Sequence, residues 1–314
     1  MQAIVDVAFP VFAIMACGWI VGRIGLLGDL ASEALNRFVY FVALPPLMFI
    51  ATAKVPVVDI LHGPFLTAYG GGALVTFVFA FLVARRAFPD RFACLSLHGL
   101  SSIYSNTGYM GIPLLLSAFG QAGAPPAIVS SIVNASLVLG IATIMIETDL
   151  GHDSGKKPGR IARDVVVATA KNPLVIAPLV GIAVSVLGIP IPKAFDTFCT
   201  LVGASASPCA LFAIGLFLVG KPIRGDLKEV GWLCVLKLLL QPLLTYVIAF
   251  KLLSMDPIWA KSAVILAALP IGTTLSVLGQ KYGIYVQRST AAVLISTVLS
   301  VVTVSALLVF LEVG

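Results

Sequence analysis

The side chains in this chain that can do chemistry stand where a membrane interior ordinarily excludes them. Asn106 and Tyr109 lie in Ser105-Asn106-Thr107-Gly108-Tyr109-Met110-Gly111-Ile112-Pro113, and Thr273 and Thr274 lie in Leu269-Pro270-Ile271-Gly272-Thr273-Thr274. The Asn106 amide can orient a carboxylate or a carbonyl, or it can cap backbone groups freed by a break in a helix. Tyr109 brings an apolar face and a phenolic hydroxyl, suited to a ligand or to helix packing. The Thr273 and Thr274 hydroxyls either join the same ligand or bond back to the carbonyl one turn earlier. Lys237 sits within Leu233-Cys234-Val235-Leu236-Lys237-Leu238-Leu239-Leu240-Gln241-Pro242. A lysine at a helix centre costs about 2.5–3.5 kcal/mol on insertion scales and is a functional candidate by default. It is either the counter-charge of an anion or a side chain that snorkels to the interface. His98 lies in Leu95-Ser96-Leu97-His98-Gly99-Leu100, and histidine is the side-chain type whose charge changes near neutral pH. It is a candidate for proton coupling, or a hydrogen-bonded packing histidine near the cytoplasmic end.

The elements that must position these groups are two hydrophobic spans with the same flaw, a proline among small and polar residues. An interior proline removes a donor and clashes with the preceding turn, at about 3 kcal/mol or more. In lipid the freed backbone groups need partners, so a broken span survives only when buried or lining a cavity. Broken spans at corresponding places in both halves point to a secondary transporter and its substrate site. Each half-helix N-terminus also presents unpaired amides and a positive dipole end, which attract anions.

Composition agrees with a membrane carrier. The chain has 314 residues, 59% hydrophobic and 11% charged, whereas a soluble domain carries roughly 25% charged residues. The net charge of +6 is scattered through short connections rather than gathered into a basic face, so positive cytoplasmic loops explain it better than nucleic acid does. Cys17, Cys94, Cys199, Cys209 and Cys234 sit in apolar runs without CxxC or metal spacing and read as small buried hydrophobes. His62, His98 and His152 are far apart, and no HExxH or paired aspartates occur within a span. No enzyme, metal or cofactor is expected. Asp6, Glu147 and Glu312 fall near span ends, so the interior favours anions. The triple glycine Gly70-Gly71-Gly72 reads as close helix packing. The amino terminus lacks a basic signal-peptide region, so the first span is expected to be retained.

A crossing helix needs about 20 apolar residues. That window predicts an all-α integral membrane protein with ten spans, at residues 4–23, 35–53, 64–84, 92–119, 125–147, 171–190, 197–219, 230–253, 259–281 and 289–312. The polar linker 148–170 separates a five-span repeat at 1–147 from another at 171–314. An odd number per half inserts the halves in opposite orientations, as in an inverted repeat. With the amino terminus outside, fifteen Lys and Arg residues fall in inward connections and four in outward ones. Both termini are then expected outside the plasma membrane.

The stretch Asn106-Thr107-Gly108-Tyr109-Met110-Gly111-Ile112-Pro113-Leu114-Leu115 resembles the auxin efflux carrier family. Lys171-Asn172-Pro173-Leu174, Leu187-Gly188-Ile189-Pro190, Ala210-Leu211-Phe212-Ala213-Ile214-Gly215 and Ser296-Thr297-Val298-Leu299-Ser300 look like its bacterial malonate or malate-type members. The resemblance implies two inverted five-helix repeats whose broken helices 4 and 9 cross at Pro113 and Pro270. It also implies a mobile transport domain beside a scaffold, as in bile acid symporters, and a substrate-contacting Asn106. Tyr109 stands where plant members carry an aliphatic residue, so auxin specificity is not carried over. The chain is thus expected to move a small organic anion, a mono- or dicarboxylate such as malonate or malate, with H+ or Na+ as a possible coupling ion. A sodium-coupled symporter of the bile acid type, an exporter of auxin-like aromatic carboxylates and a channel are the alternatives. A homodimer is plausible by analogy.

Overall fold

The computed structural model of the protein describes residues 7–54, 62–152, 158–220 and 226–313. Met1–Asp6, Lys156, Lys157, Lys221 and Arg224, which enter the reading of the amino terminus and of the charge bias, lie outside these residues. In chain order the helices are α1 (Phe9–Arg23), α2 (Leu30–Ala53), α3 (Gly63–Ala87), α4 (Phe92–Ser101), α5 (Ile112–Phe119), α6 (Ala124–Val133) and α7 (Leu139–His152). They continue with α8 (Pro158–Ala170), α9 (Pro173–Val186), α10 (Lys193–Phe217), α11 (Leu227–Leu252), α12 (Pro257–Ala267), α13 (Thr274–Tyr282) and α14 (Val286–Phe310). Among the described residues the fold is all-helical, with six helical stretches long and apolar enough to cross a membrane. The length window sees apolar residues rather than helix continuity. Spans 4 and 9 are therefore split, and α1, α9, α4 and α12 are shorter than a full crossing. The second part of the polar linker is helical, as α8.

Local sequence explains the helix starts. Asn172, Asp226 and Asp256 accept hydrogen bonds from the first free amides of α9, α11 and α12, and proline stands in the first turn of α9 and α12, where its missing N–H is harmless. Gly283 ends α13 in the left-handed conformation at φ +68°, which glycine adopts without a Cβ penalty. π turns interrupt the helices at Thr107–Gly111, Asn134–Val138 and Leu236–Leu240. Such turns are often found at functional sites, and these three contain Tyr109, Asn134 and Lys237.

The helices pack as two groups. One is α1, α2, α9 and α10; the other is α3 to α7 together with α11 to α14. In the first group, Gly18 of α1 and Gly215 of α10 let the two backbones touch: a Cβ on Gly215 would lie 2.0 Å from the Met15 carbonyl oxygen. In the second, a Cβ on Gly72 would lie 2.4 Å from Thr245 Oγ1 of α11, so part of the triple glycine does serve close packing. Large apolar side chains such as Leu74, Val78, Leu82 and Val302 point outward, as a lipid-facing surface requires. All five cysteines are free thiols; Cys94, Cys199 and Cys234 are buried, but Cys17 is exposed, so the buried reading fails for it.

Candidate functional site

Both breaks open the chain over a few residues, between α4 and the turn at Thr107 and between α12 and α13. There the two segments meet. Ser105 and Ile271 form an antiparallel bridge, in which the Asn106 amide donates to the Pro270 carbonyl at 3.0 Å and the Gly272 amide to the Tyr104 carbonyl at 2.9 Å. Each break thus satisfies part of the backbone that the other leaves unpaired, as burial demands. Pro270 lies in this join. Pro113 lies beyond the opened segment, inside the helical stretch that begins at Thr107. There it removes one backbone donor, and the π turn Thr107–Gly111 directly precedes it.

Side chains from neighbouring helices brace the join. Asn134 Nδ2 donates to the Ser105 carbonyl at 3.0 Å and to Thr107 Oγ1 at 3.1 Å, and its Oδ1 accepts from the Tyr69 hydroxyl at 3.4 Å. Ser296 of α14 accepts from the Ile271 amide at 3.1 Å. From α11, Gln241 Nε2 donates to the Ile103 carbonyl at 3.3 Å, and Lys237 Nζ donates to the Ala267 carbonyl. Lys237 is wholly buried, at 0% exposure, so it does not snorkel. Its ammonium sits at the carboxyl end of α12, where the helix dipole favours a cation.

The opposite helix ends are left open. The amides of Gly108 and Tyr109, entering α5, and of Thr273 and Thr274, entering α13, make no hydrogen bond among the described residues. Asn106 is only 5% exposed, yet its side-chain amide neither caps the following turn nor bonds to another described residue. That removes the capping alternative. The Asn106 amide atoms are not among the side-chain atoms sealed without a partner, so this amide, beside four free N–H groups, is open to water or to a ligand. Tyr109, Thr273 and Thr274 are half-buried here. Tyr40 of α2, in the first helix group, packs against the same core cluster as Tyr109 and donates its hydroxyl to Asn172 Oδ1 at 3.0 Å. With the carboxyl ends covered by α11 and the amino ends uncovered, the meeting point suits a negatively charged group.

His98 lies elsewhere, one helix turn before the break and wholly buried. Its Nδ1 is 2.7 Å from Glu229 Oε1 and 3.2 Å from the Tyr285 hydroxyl. Glu229, at the end of a predicted span and not singled out from the sequence, is only 2% exposed. The first turn of α11 carries it inward, one residue ahead of the span drawn from hydropathy. Of the predicted residues, the structure brings together Asn106, Tyr109, Thr273, Thr274 and Pro270, sets Lys237 beside them, and leaves Pro113 and His98 outside. Asn134, Gln241, Ser296, Tyr40 and Glu229 were missed. An amide within an apolar span marks Asn134, and the four-residue spacing from Lys237 marks Gln241.

The model of the family described as "Membrane transport protein" matches residues 3–308. The chain is 32% identical to the "Putative malonate transporter" of Rhizobium meliloti, covering 100% of this chain and 98% of that protein. It is 26% identical to the "Uncharacterized transporter YfdV" of Escherichia coli, over 94% of this chain and 93% of that protein. It is also 27% identical to the mouse "Lysosomal cholesterol signaling protein", over 92% of this chain but 35% of that protein. With this match over nearly its whole length, the chain belongs to the membrane transport protein family, the auxin efflux carrier family that its Asn106–Leu115 stretch resembles.

Proposed function

We propose that the protein is a carrier that moves a small organic anion, a mono- or dicarboxylate such as malonate, across the plasma membrane by alternating access. Its ten spans form two inverted five-span repeats, 1–147 and 171–314, joined by the cytoplasmic segment 148–170, with both termini outside. The bracing residues support this symmetry: Asn134 holds the first break from the fifth span of one half, and Ser296 holds the second from the fifth span of the other. The broken helices cross at Ser105–Asn106 and Pro270–Ile271. A carboxylate binds at the uncovered amino ends, oriented by the Asn106 amide, the Tyr109 and Thr273/Thr274 groups and the free amides around them. Lys237 sits on the far side of the join and offsets the charge through the α12 terminus.

The observation that supports this reading most is the Asn106 amide at the meeting of the breaks, which bonds to no described residue and is not sealed from solvent. The R. meliloti relative is what points to malonate among anions. The two helix groups are the bodies that would move, since the join belongs wholly to one and Tyr40 to the other. The test is counterflow of labelled malonate in proteoliposomes with wild type and Asn106→Ala. A charge-assisted hydrogen bond is worth about 1.5–3 kcal/mol, so KM should rise roughly tenfold to a hundredfold in a variant that still folds. An unchanged KM removes Asn106 from the site, and absent wild-type counterflow removes malonate as substrate.

A further inference from the structure

Two carboxylates share one guanidinium beside the buried His98. Arg288 NH1 donates to Glu229 Oε2 at 2.9 Å and NH2 to Asp90 Oδ2 at 2.6 Å. The Tyr285 hydroxyl also donates to Glu229. Although burial opposes ionisation of Asp90, the Arg288 guanidinium and the Arg91 amide hold its carboxyl below the usual range. The cluster therefore carries one negative charge that nothing within it balances, and His98 is the group placed to supply a proton. His98 Nε2 is fully buried and has no hydrogen-bond partner among the described residues.

The other titratable groups around α4 are engaged elsewhere or uncharged. Arg91 pairs with Asp149 at 2.8 Å, and Tyr282 donates to Glu147 at 2.8 Å. Lys281 lies over the Tyr282 ring, 4.9 Å from its centroid. Cys94 and Cys234 are buried thiols. A cavity of about 540 Å³ lined by Glu229, Tyr285, Arg288, Asp226 and Pro89 opens beside the half-exposed Asp90–Arg288 pair. Glu229 thus faces solvent on one side and His98 on the other, which is the arrangement of a proton relay.

The site is also wired to the join. The His98 carbonyl accepts the Ser102 amide at 3.2 Å, and Ser102 begins the opened segment that leads to Asn106. Glu229 lies on α11, which braces the ends of both α4 and α12 through Gln241 and Lys237. A proton gained or lost at His98 changes the charge holding α4 against α11.

We propose that His98 and Glu229 form a proton-binding site, loaded through the Glu229 cavity, that couples movement of the anion to movement of H+. The step is a transfer of one proton between solvent and the His98–Glu229 pair, with no other bond made or broken. The proposal rests on the carrier reading above, and its test separates the two. Proteoliposomes with the membrane potential clamped are assayed for malonate counterflow at equal pH on both sides and for net accumulation under an imposed pH gradient. Wild type should show both; His98→Gln should keep counterflow and lose gradient-driven accumulation, and Glu229→Gln should do the same. Wild-type counterflow without gradient-driven accumulation overturns the proposal and leaves the carrier standing. So does full accumulation in His98→Gln. Absent wild-type counterflow removes malonate as the substrate, the reading on which this coupling rests, and the proposal of malonate–H+ coupling with it.

Discussion

Asn134→Ala is the substitution whose cost the structure allows to be worked most fully. Asn134 is 3% exposed and makes three hydrogen bonds, donating to the Ser105 carbonyl and Thr107 Oγ1 and accepting from the Tyr69 hydroxyl. Hydrogen bonds between membrane helices average about 0.6 kcal/mol, with a maximum near 1.7, so three of them are worth about 2 kcal/mol. Truncation does not orphan the Ser105 carbonyl, which still accepts the Thr107 amide at 2.8 Å. The total is therefore about 2 kcal/mol, a large loss for one residue. It falls on the segment that carries the bridge to Ile271. The assay is reversible unfolding in mixed micelles, followed by tryptophan fluorescence, with counterflow measured on the folded fraction. Asn134→Ala should lower the unfolding free energy by that amount and slow counterflow as the first break loses its register. Tyr69→Phe should cost far less, because it removes one contact of the three. A loss below about 1 kcal/mol with normal counterflow, less than a single well-made hydrogen bond at its upper range, would refute the claim that Asn134 braces the break.

Two glycine substitutions should act with opposite signs. Gly215→Ala pushes a Cβ to 2.0 Å from the Met15 carbonyl oxygen and 2.8 Å from the Trp19 amide, and overpacking of this kind costs about 1–3 kcal/mol; the thermal midpoint in detergent should fall. Gly70→Ala meets nothing within 4 Å and gains up to about 1 kcal/mol of helix propensity, so its midpoint should hold or rise. Lys237→Met keeps the buried volume but removes the donor to the Ala267 carbonyl. It should destabilise by about 1–3 kcal/mol and raise the malonate KM; a stability loss with KM unchanged would leave Lys237 a purely structural cap of α12.

Much of this architecture was legible in the sequence because its signals are local. A proline with glycine and threonine inside an apolar run is a break whatever surrounds it, and an asparagine or lysine at that depth is conspicuous. The partners were not legible, because pairing across the fold depends on which helix faces lie together. His98 and Glu229 are 131 residues apart in sequence, and hydropathy drew the α11 span one residue short of Glu229. Composition shows that Pro113 is present but not that it falls inside the helical stretch beginning at Thr107 rather than in the opened segment. The π turns at Tyr109, Asn134 and Lys237 leave no compositional mark at all. The length window drew ten apolar segments; among the described residues six helices are long and apolar enough to cross and four apolar helices are shorter, since the window cannot see a helix stop and restart.

The central claim is that the anion binds where the two breaks meet, and the most direct measurement is an experimental structure of the protein with malonate bound in lipid nanodiscs. The account predicts density for a carboxylate within hydrogen-bonding distance of the Asn106 amide and the free amides of Gly108, Tyr109, Thr273 and Thr274. Malonate bound at another site, with the Asn106 amide still unpartnered, would contradict it.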